Sequence, residues 1–150
     1  MAPKFALQNV LDVRHSKVEM LEIELGKLNG QKVTLQERLA GLFAGQDALM
    51  EQLSGLLQGE MDLFSVACTR ADLEDVKNSI AATREAIDAL DLLIERTRQN
   101  LVSARQAEEA LGILKKKLIE AHAIEQAQKE ARLQDDLYIA RAFRDQAQGA

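Results

Sequence analysis

The residues that could carry chemistry in this chain are few. His15 and His122 are its two histidines and Cys68 its one cysteine. Neither histidine has a second His or a Cys four residues on, the spacing that would let one helix face hold a metal ion. A nucleophilic thiol needs a base or a strong positive field. The near neighbours of Cys68 offer only Arg70, so it reads as a small apolar filler. No GxxxxGK[ST] or GxGxxG loop is present to cradle a phosphate. The run Lys115-Lys116-Lys117 is short and has acids nearby, which makes it a solvated helix face and not a nucleic-acid site. No pair of titratable groups is spaced for acid and base roles. The expectation is a protein without enzyme activity, cofactor or metal, which acts by touching other proteins.

The elements that would present such a surface follow from composition. Aromatic residues make up 3% of the 150 and Trp is absent, so material for a bulky globular core is scarce. Leu, Ala, Glu, Gln, Lys and Arg dominate, all good helix formers, and the single proline, Pro3, stands where a helix can begin. The net charge of -5 comes from acids and bases mixed along the whole length, without the basic stripe that neutralises phosphates. A lone cysteine cannot form an internal disulfide and fits a reducing compartment. The opening Met1-Ala2-Pro3-Lys4-Phe5 lacks the apolar run of a signal peptide, and no stretch approaches the ~20 apolar residues of a membrane span. A cytoplasmic protein with no membrane insertion is expected.

From Leu7 onward apolar residues alternate in steps of three and four, the 3.5-residue period of a coiled-coil seam. With heptad positions lettered a to g, the d positions read Leu7, Arg14, Leu21, Leu28, Leu35, Leu42, Leu49, Leu56 and Leu63. The a positions read Leu11, Val18, Leu25, Lys32, Leu39, Gln46, Leu53 and Glu60. The polar a residues weaken the seam and help fix its register, and the lysine can lay its methylenes along the partner with its head in water. Around Gly55, Gly59 and Glu60 helix propensity drops, and Met61, Leu63, Phe64, Val66 and Cys68 follow without a clean period. Thr69 and Asp72 then match a capping box. A second seam runs Leu73, Val76, Ile80, Thr83, Ile87, Leu90, Ile94, Thr97, Leu101 and Ala104. It then slips in phase to Ala107, Leu111, Leu114, Leu118 and Ala121, an interruption of the stammer type.

The expected fold is all-α: an antiparallel two-helix coiled-coil hairpin, a single domain over 1–150, with a longer, overhanging C-terminal helix. The first helix covers about 4–57, the turn about 58–70 and the second helix about 70–145. Folding the chain about residue 63 brings Phe5 level with about residue 121 at ~1.5 Å per residue in both arms. Residues 122–150 therefore overhang, and large apolar residues thin out at the same place. Six of the eight glycines form GxxxG-spaced pairs in the first arm, off the seam, and read as surface glycines that soften that arm.

Two apolar features exceed what a two-stranded seam needs. Phe43, Met50 and Leu57 recur every seven residues at e positions and widen the stripe toward the tip. Either the turn segment with Phe64 and Val66 folds back over them, or they form a binding surface. In the overhang, Leu133, Leu137, Ala140 and Arg144 share a face with Tyr138, Ile139 and Phe143 alongside. That segment is either a frayed tail or an amphipathic helix awaiting an external partner.

The segment from Lys4-Phe5-Ala6-Leu7 through Val13-Arg14, followed by Glu22-Ile23-Glu24-Leu25 and a long leucine seam, resembles the N-terminus of the FliJ family. These are small coiled-coil stalk proteins of the flagellar type III export apparatus. Ala104-Arg105-Gln106 with Leu111-Gly112-Ile113-Leu114-Lys115-Lys116-Lys117, and the ending Gln134-Asp135-Asp136-Leu137-Tyr138-Ile139-Ala140-Arg141-Ala142-Phe143, are similar to later parts of that family. One departure stands out. Family members often carry aromatics at the start of the second helix, where this chain has Ser65-Val66-Ala67-Cys68-Thr69. The resemblance implies a cytoplasmic stalk, peripheral to the inner membrane and monomeric when isolated. The paired ends of the hairpin would bind a hexameric export ATPase, with the overhang as ring-facing element. The other end would contact the membrane export gate, and export chaperones are further possible partners. Leu133, Leu137, Tyr138, Arg141 and Phe143 are the residues it implies for the ring contact. A general structural coiled coil that homo-oligomerises, or a chaperone offering the tip stripe to unfolded clients, are the competing readings.

Overall fold

A computed structural model describes residues 4–149. It contains two helices, α1 (Gln8–Leu56) and α2 (Leu63–Gln148), and no strand among the described residues. Pro3 lies outside them. α1 begins after a turn in which the Gln8 N–H donates to the Phe5 carbonyl at 3.0 Å, and the Gln8 amide then reaches Asp12 Oδ1 at 2.9 Å. At the other end the Leu57 N–H still reaches the Leu53 carbonyl at 3.1 Å. The Gln58 N–H tightens to Gly55 at 3.2 Å, and Gly59 turns the chain with φ of 81°. That left-handed conformation suits glycine alone without strain.

α2 starts seven residues earlier than the capping-box reading of about residue 70 implies. Asp62 is the N-cap: its carboxylate accepts the Phe64 N–H at 3.1 Å and the Ser65 hydroxyl at 2.7 Å. Thr69 is buried inside the helix and donates its hydroxyl back to the Ser65 carbonyl at 2.9 Å, so the Thr69/Asp72 box caps nothing. The expected turn of about 58–70 shrinks to residues 57–62 because one side-chain cap settles where the helix begins. The Ser65 hydroxyl first, and the Phe64 N–H second, hold the Asp62 carboxyl below its usual value. A depressed carboxylate stabilises the fold above its unfolded pKa, and that contribution fades as pH falls through the lower folded value. Asp62→Ala is therefore expected to melt earlier than wild type at pH near 7, with the gap narrowing below about pH 4, followed by circular dichroism. A gap that persists unchanged in acid would mean the carboxylate is not the cap.

The chain divides into two compact units, residues 19–103 and residues 1–18 with 104–150. Within the first, α1 and α2 are antiparallel across the short turn. Lys32 Nζ lies 2.6 Å from Asp91 Oδ1, Arg84 sits over the Phe43 ring, and Leu35 and Arg38 line a groove with Ser79 and Thr83. This register sets Leu28 level with Ile94, Leu35 with Ile87 and Leu42 with Ile80, giving one set of purely aliphatic layers. The interleaved set is mixed: Leu25 stands level with Thr97, Lys32 with Leu90, Leu39 with Thr83 and Gln46 with Val76. Each mixed layer holds one polar residue, contributed by the two helices in turn. The Thr83 hydroxyl donates to the Ser79 carbonyl at 2.7 Å, so its polar atom is satisfied within α2 and its methyl is left for packing. Lys32 ends in an ion pair instead of in water alone.

In the second unit Val18, Ala104 and Leu111 are buried, and Arg14 Nη1 donates to the Ala107 carbonyl at 2.9 Å. The expected phase slip after Ala104 does not occur. Glu108, Leu111, Lys115 and His122 continue the earlier alternation, with Ala107 half-buried beside Glu108, whereas Leu114, 50% exposed, and Ala121 of the slipped stripe face out. α1 keeps its own seven-residue period through Leu11, Arg14 and Val18, and a facing helix has to match it. Leu7 and Leu63, expected in the seam, lie outside it: Leu7 precedes α1 and Leu63 is the exposed first residue of α2. From residue 123 every described residue is exposed while α2 continues to Gln148.

Candidate interaction surfaces

The residues with potential chemistry remain scattered. His15 Nδ1 lies 2.5 Å from Glu108 Oε1, and His122 Nε2 is 3.4 Å from the Gln126 amide nitrogen on its own helix. Cys68 is an exposed free thiol on α2, so the expected filler role is overturned: the seam beside it is filled by Val66 and Thr69, and position 68 faces out. No group of three or more His, Cys, Asp and Glu among the described residues could hold a metal ion. Among the described residues no helix is long and apolar enough to cross a membrane.

The stripe near the turn lies open. Met50 and Leu57 are exposed and Phe43 is half-buried, its ring covered on one side by Arg84, whose Cζ is 5.1 Å from the ring centroid. That separation is within cation–π range. Covering by the turn segment does not happen: Val66 is buried in the seam and Phe64 is 76% exposed. Beside the stripe, Gln46 and Met50 of α1 line a shallow groove with Arg70, Leu73, Glu74 and Lys77 of α2. In the sequence Arg70 stands out only as a neighbour of Cys68, and Lys77 and Arg84 do not stand out singly. Their signal was available, since all three occupy the position that follows the Thr69, Val76, Thr83 column of the seam.

On the C-terminal segment Leu137, Tyr138 and Arg141 line one shallow concavity with Gln134, Ala140 and Arg144. Leu133, Ile139 and Phe143 are exposed beside it. The segment is regular helix throughout, which sets Leu133 and Leu137 on one side and Ile139 and Phe143 well round the helix from them, so bare apolar side chains surround this stretch.

The family profile described as "Flagellar FliJ protein" matches residues 3–147. The chain belongs to the FliJ family. The match spans each of the segments whose residues resemble that family, including the 65–69 stretch where the usual aromatics are missing. Membership places this FliJ-family chain with the flagellum and its type III protein-export apparatus. No curated protein and no solved structure matches it.

Proposed function

We propose that this FliJ-family chain is a non-enzymatic cytoplasmic stalk of the flagellar export apparatus, peripheral to the inner membrane and monomeric on its own. In this reading the helix beyond residue 122 binds the hexameric export ATPase, and the turn end meets the membrane export gate. The observation that supports it most is the run 123–148, a continuous helix on which Leu133, Leu137, Tyr138 and Phe143 are all exposed. Burying such a side chain against a partner is worth about 1.5–3 kcal/mol before the losses of association are subtracted, so this segment gains most from docking in a socket that surrounds it. Arg141, beside Leu137 and Tyr138, supplies a charge-assisted donor for a carboxylate on the ring. Mechanically, one asymmetric stalk in a six-fold ring contacts the subunits unequally and shifts their equilibria by its differential affinity, a coupling free energy that involves no bond making by the stalk.

The test adds the chain to the export ATPase of the same organism and follows ATP hydrolysis. Full-length protein is expected to raise the rate, and a version stopped at residue 121 to lose most of that rise. No rise with either would remove the stalk reading. A stable dimer by light scattering would favour a structural coiled coil instead.

A further inference from the structure

The edge of the helical pair beside the turn is built differently from its opposite edge. On α2 the e positions within residues 19–103 read Arg70, Lys77, Arg84, Asp91 and Arg98, basic in four places of five. The exception answers a charge on α1, because Asp91 is the partner of Lys32 at 2.6 Å. Elsewhere in coiled coils such flanking cations are met by Glu or Asp on the facing helix. Here the facing e positions of α1 near the turn hold Phe43 and Met50 instead, and Leu57 takes the next such place just past the end of α1. Arg84 stacks on Phe43, Met50 shares a groove with Arg70 and Lys77, and Leu57 is exposed at the first residue of the turn, seven residues on from Met50. On the opposite edge Arg38 of α1 meets Ser79 and Ala86 of α2, without a basic column. The edge is therefore an apolar stripe of i, i+7, i+14 spacing with a row of cations on its α2 side. Glu74 in the groove and Asp47 on the outer face of α1 bound it.

We infer that this edge is the docking site of an acidic amphipathic helix from another protein, one that lies along α1 and α2 as a third strand. Its apolar residues, at heptad spacing over about four turns, cover Phe43, Met50 and Leu57, a span of roughly 21 Å at 1.5 Å per residue. Its Asp and Glu residues on the flank toward α2 meet Arg70, Lys77 and Arg84. Two features of the site select this occupant. The apolar spacing is helical, which an extended or unfolded client does not match. The cations lie in one line beside it, and contact with apolar surface lowers the local dielectric, so a carboxylate row is favoured over a neutral one. The inference rests on the proposed stalk role, where it gives chemistry to the partner at the turn end.

The probe is a synthetic 21-residue amphipathic helix with Leu on its seam and Glu on one flank, set against a copy with Lys in place of every Glu. Fluorescence anisotropy with the full-length chain is expected to show binding of the Glu peptide that weakens as NaCl is raised, and at least about tenfold weaker binding of the Lys peptide. The double variant Arg70→Glu/Lys77→Glu should reverse the preference, and Met50→Ser should weaken binding of the Glu peptide. Both variants alter exposed positions and should keep the helical circular dichroism of wild type and its stimulation of the export ATPase. Equal binding of the two peptides, or binding of neither, would overturn the inference. So would capture by vesicles of anionic lipid without peptide binding, or self-association abolished by Met50→Ser. Loss of ATPase stimulation by the 121-stop chain is read separately, so the stalk role and this edge can fail independently.

Discussion

Ile94→Ala is expected to lower the stability of this protein by about 2–3 kcal/mol, the lower half of the range for removing a buried branched side chain. Leu92→Ala, two residues away, should change it by less than about 0.5 kcal/mol. Ile94 is 5% exposed and level with Leu28 in an aliphatic layer, whereas Leu92 is 75% exposed on the outer side of the same helix. Only one helix covers each seam residue here, so the gap left by truncation lies near solvent and closes partly, which keeps the loss below that of a deep globular core. Urea unfolding followed by far-ultraviolet circular dichroism measures both variants on one scale. Similar losses at the two positions would mean that α2 does not face α1 as described.

That contrast also explains which parts of the fold are legible in the sequence. Leu21 to Leu56 and Leu73 to Leu101 could be assigned to a seam because a two-stranded interface is a strict period, and every step of three or four repeats the evidence. The start of α2 was not legible in the same way. Asp62 is one residue in a stretch whose apolar neighbours Leu63, Phe64 and Val66 carry no clear period, and its role emerges only when its carboxylate meets the Phe64 N–H and Ser65 hydroxyl. Thr69 imitates a cap in sequence, yet within a helix its hydroxyl simply bonds backward by four residues. The phase slip failed for another reason. Leu114 and Leu118 do form a good stripe with Leu111, but a stripe shows what a helix could bury, and which stripe is buried depends on the facing helix.

The interaction surfaces divide the same way. Phe43, Met50 and Leu57 were visible as apolar residues in excess of the seam. The cations beside them were legible as a column of seven-residue spacing, but their meaning depends on which residues stand across the edge. Lys32 shows the principle in reverse: read alone it is a polar residue that weakens the seam, and read with Asp91 it is half of a cross-helix ion pair. Such a half-buried pair at the solvent edge is worth only about 0.2–1 kcal/mol, so its stronger effect is on register. A shift of one heptad in either direction would bring Lys32 to Arg84 or Arg98 in place of Asp91.

The second large effect comes from glycine. In α1, Gly26, Gly30, Gly41 and Gly45 all lie within the helix, and a Cβ placed at any of them would meet nothing within 4 Å. None is there to let another backbone approach. Each then keeps only the backbone-entropy loss of glycine in a helix, about 0.5–1 kcal/mol relative to alanine. The quadruple change to alanine is expected to stabilise the protein by about 2–4 kcal/mol, since these positions share no packing partner and their effects should add. Gly59→Ala should have the opposite sign, a loss of about 1–2 kcal/mol, although space around Gly59 is just as open. The difference is its φ of 81°, which an L-residue with a Cβ adopts only under strain. Urea midpoints that rise for the quadruple variant and fall for Gly59→Ala would separate backbone conformation from packing as the cause. A quadruple variant no more stable than wild type would mean that some glycine in α1 does meet a neighbour, and that α1 is packed more tightly than its open Cβ positions indicate.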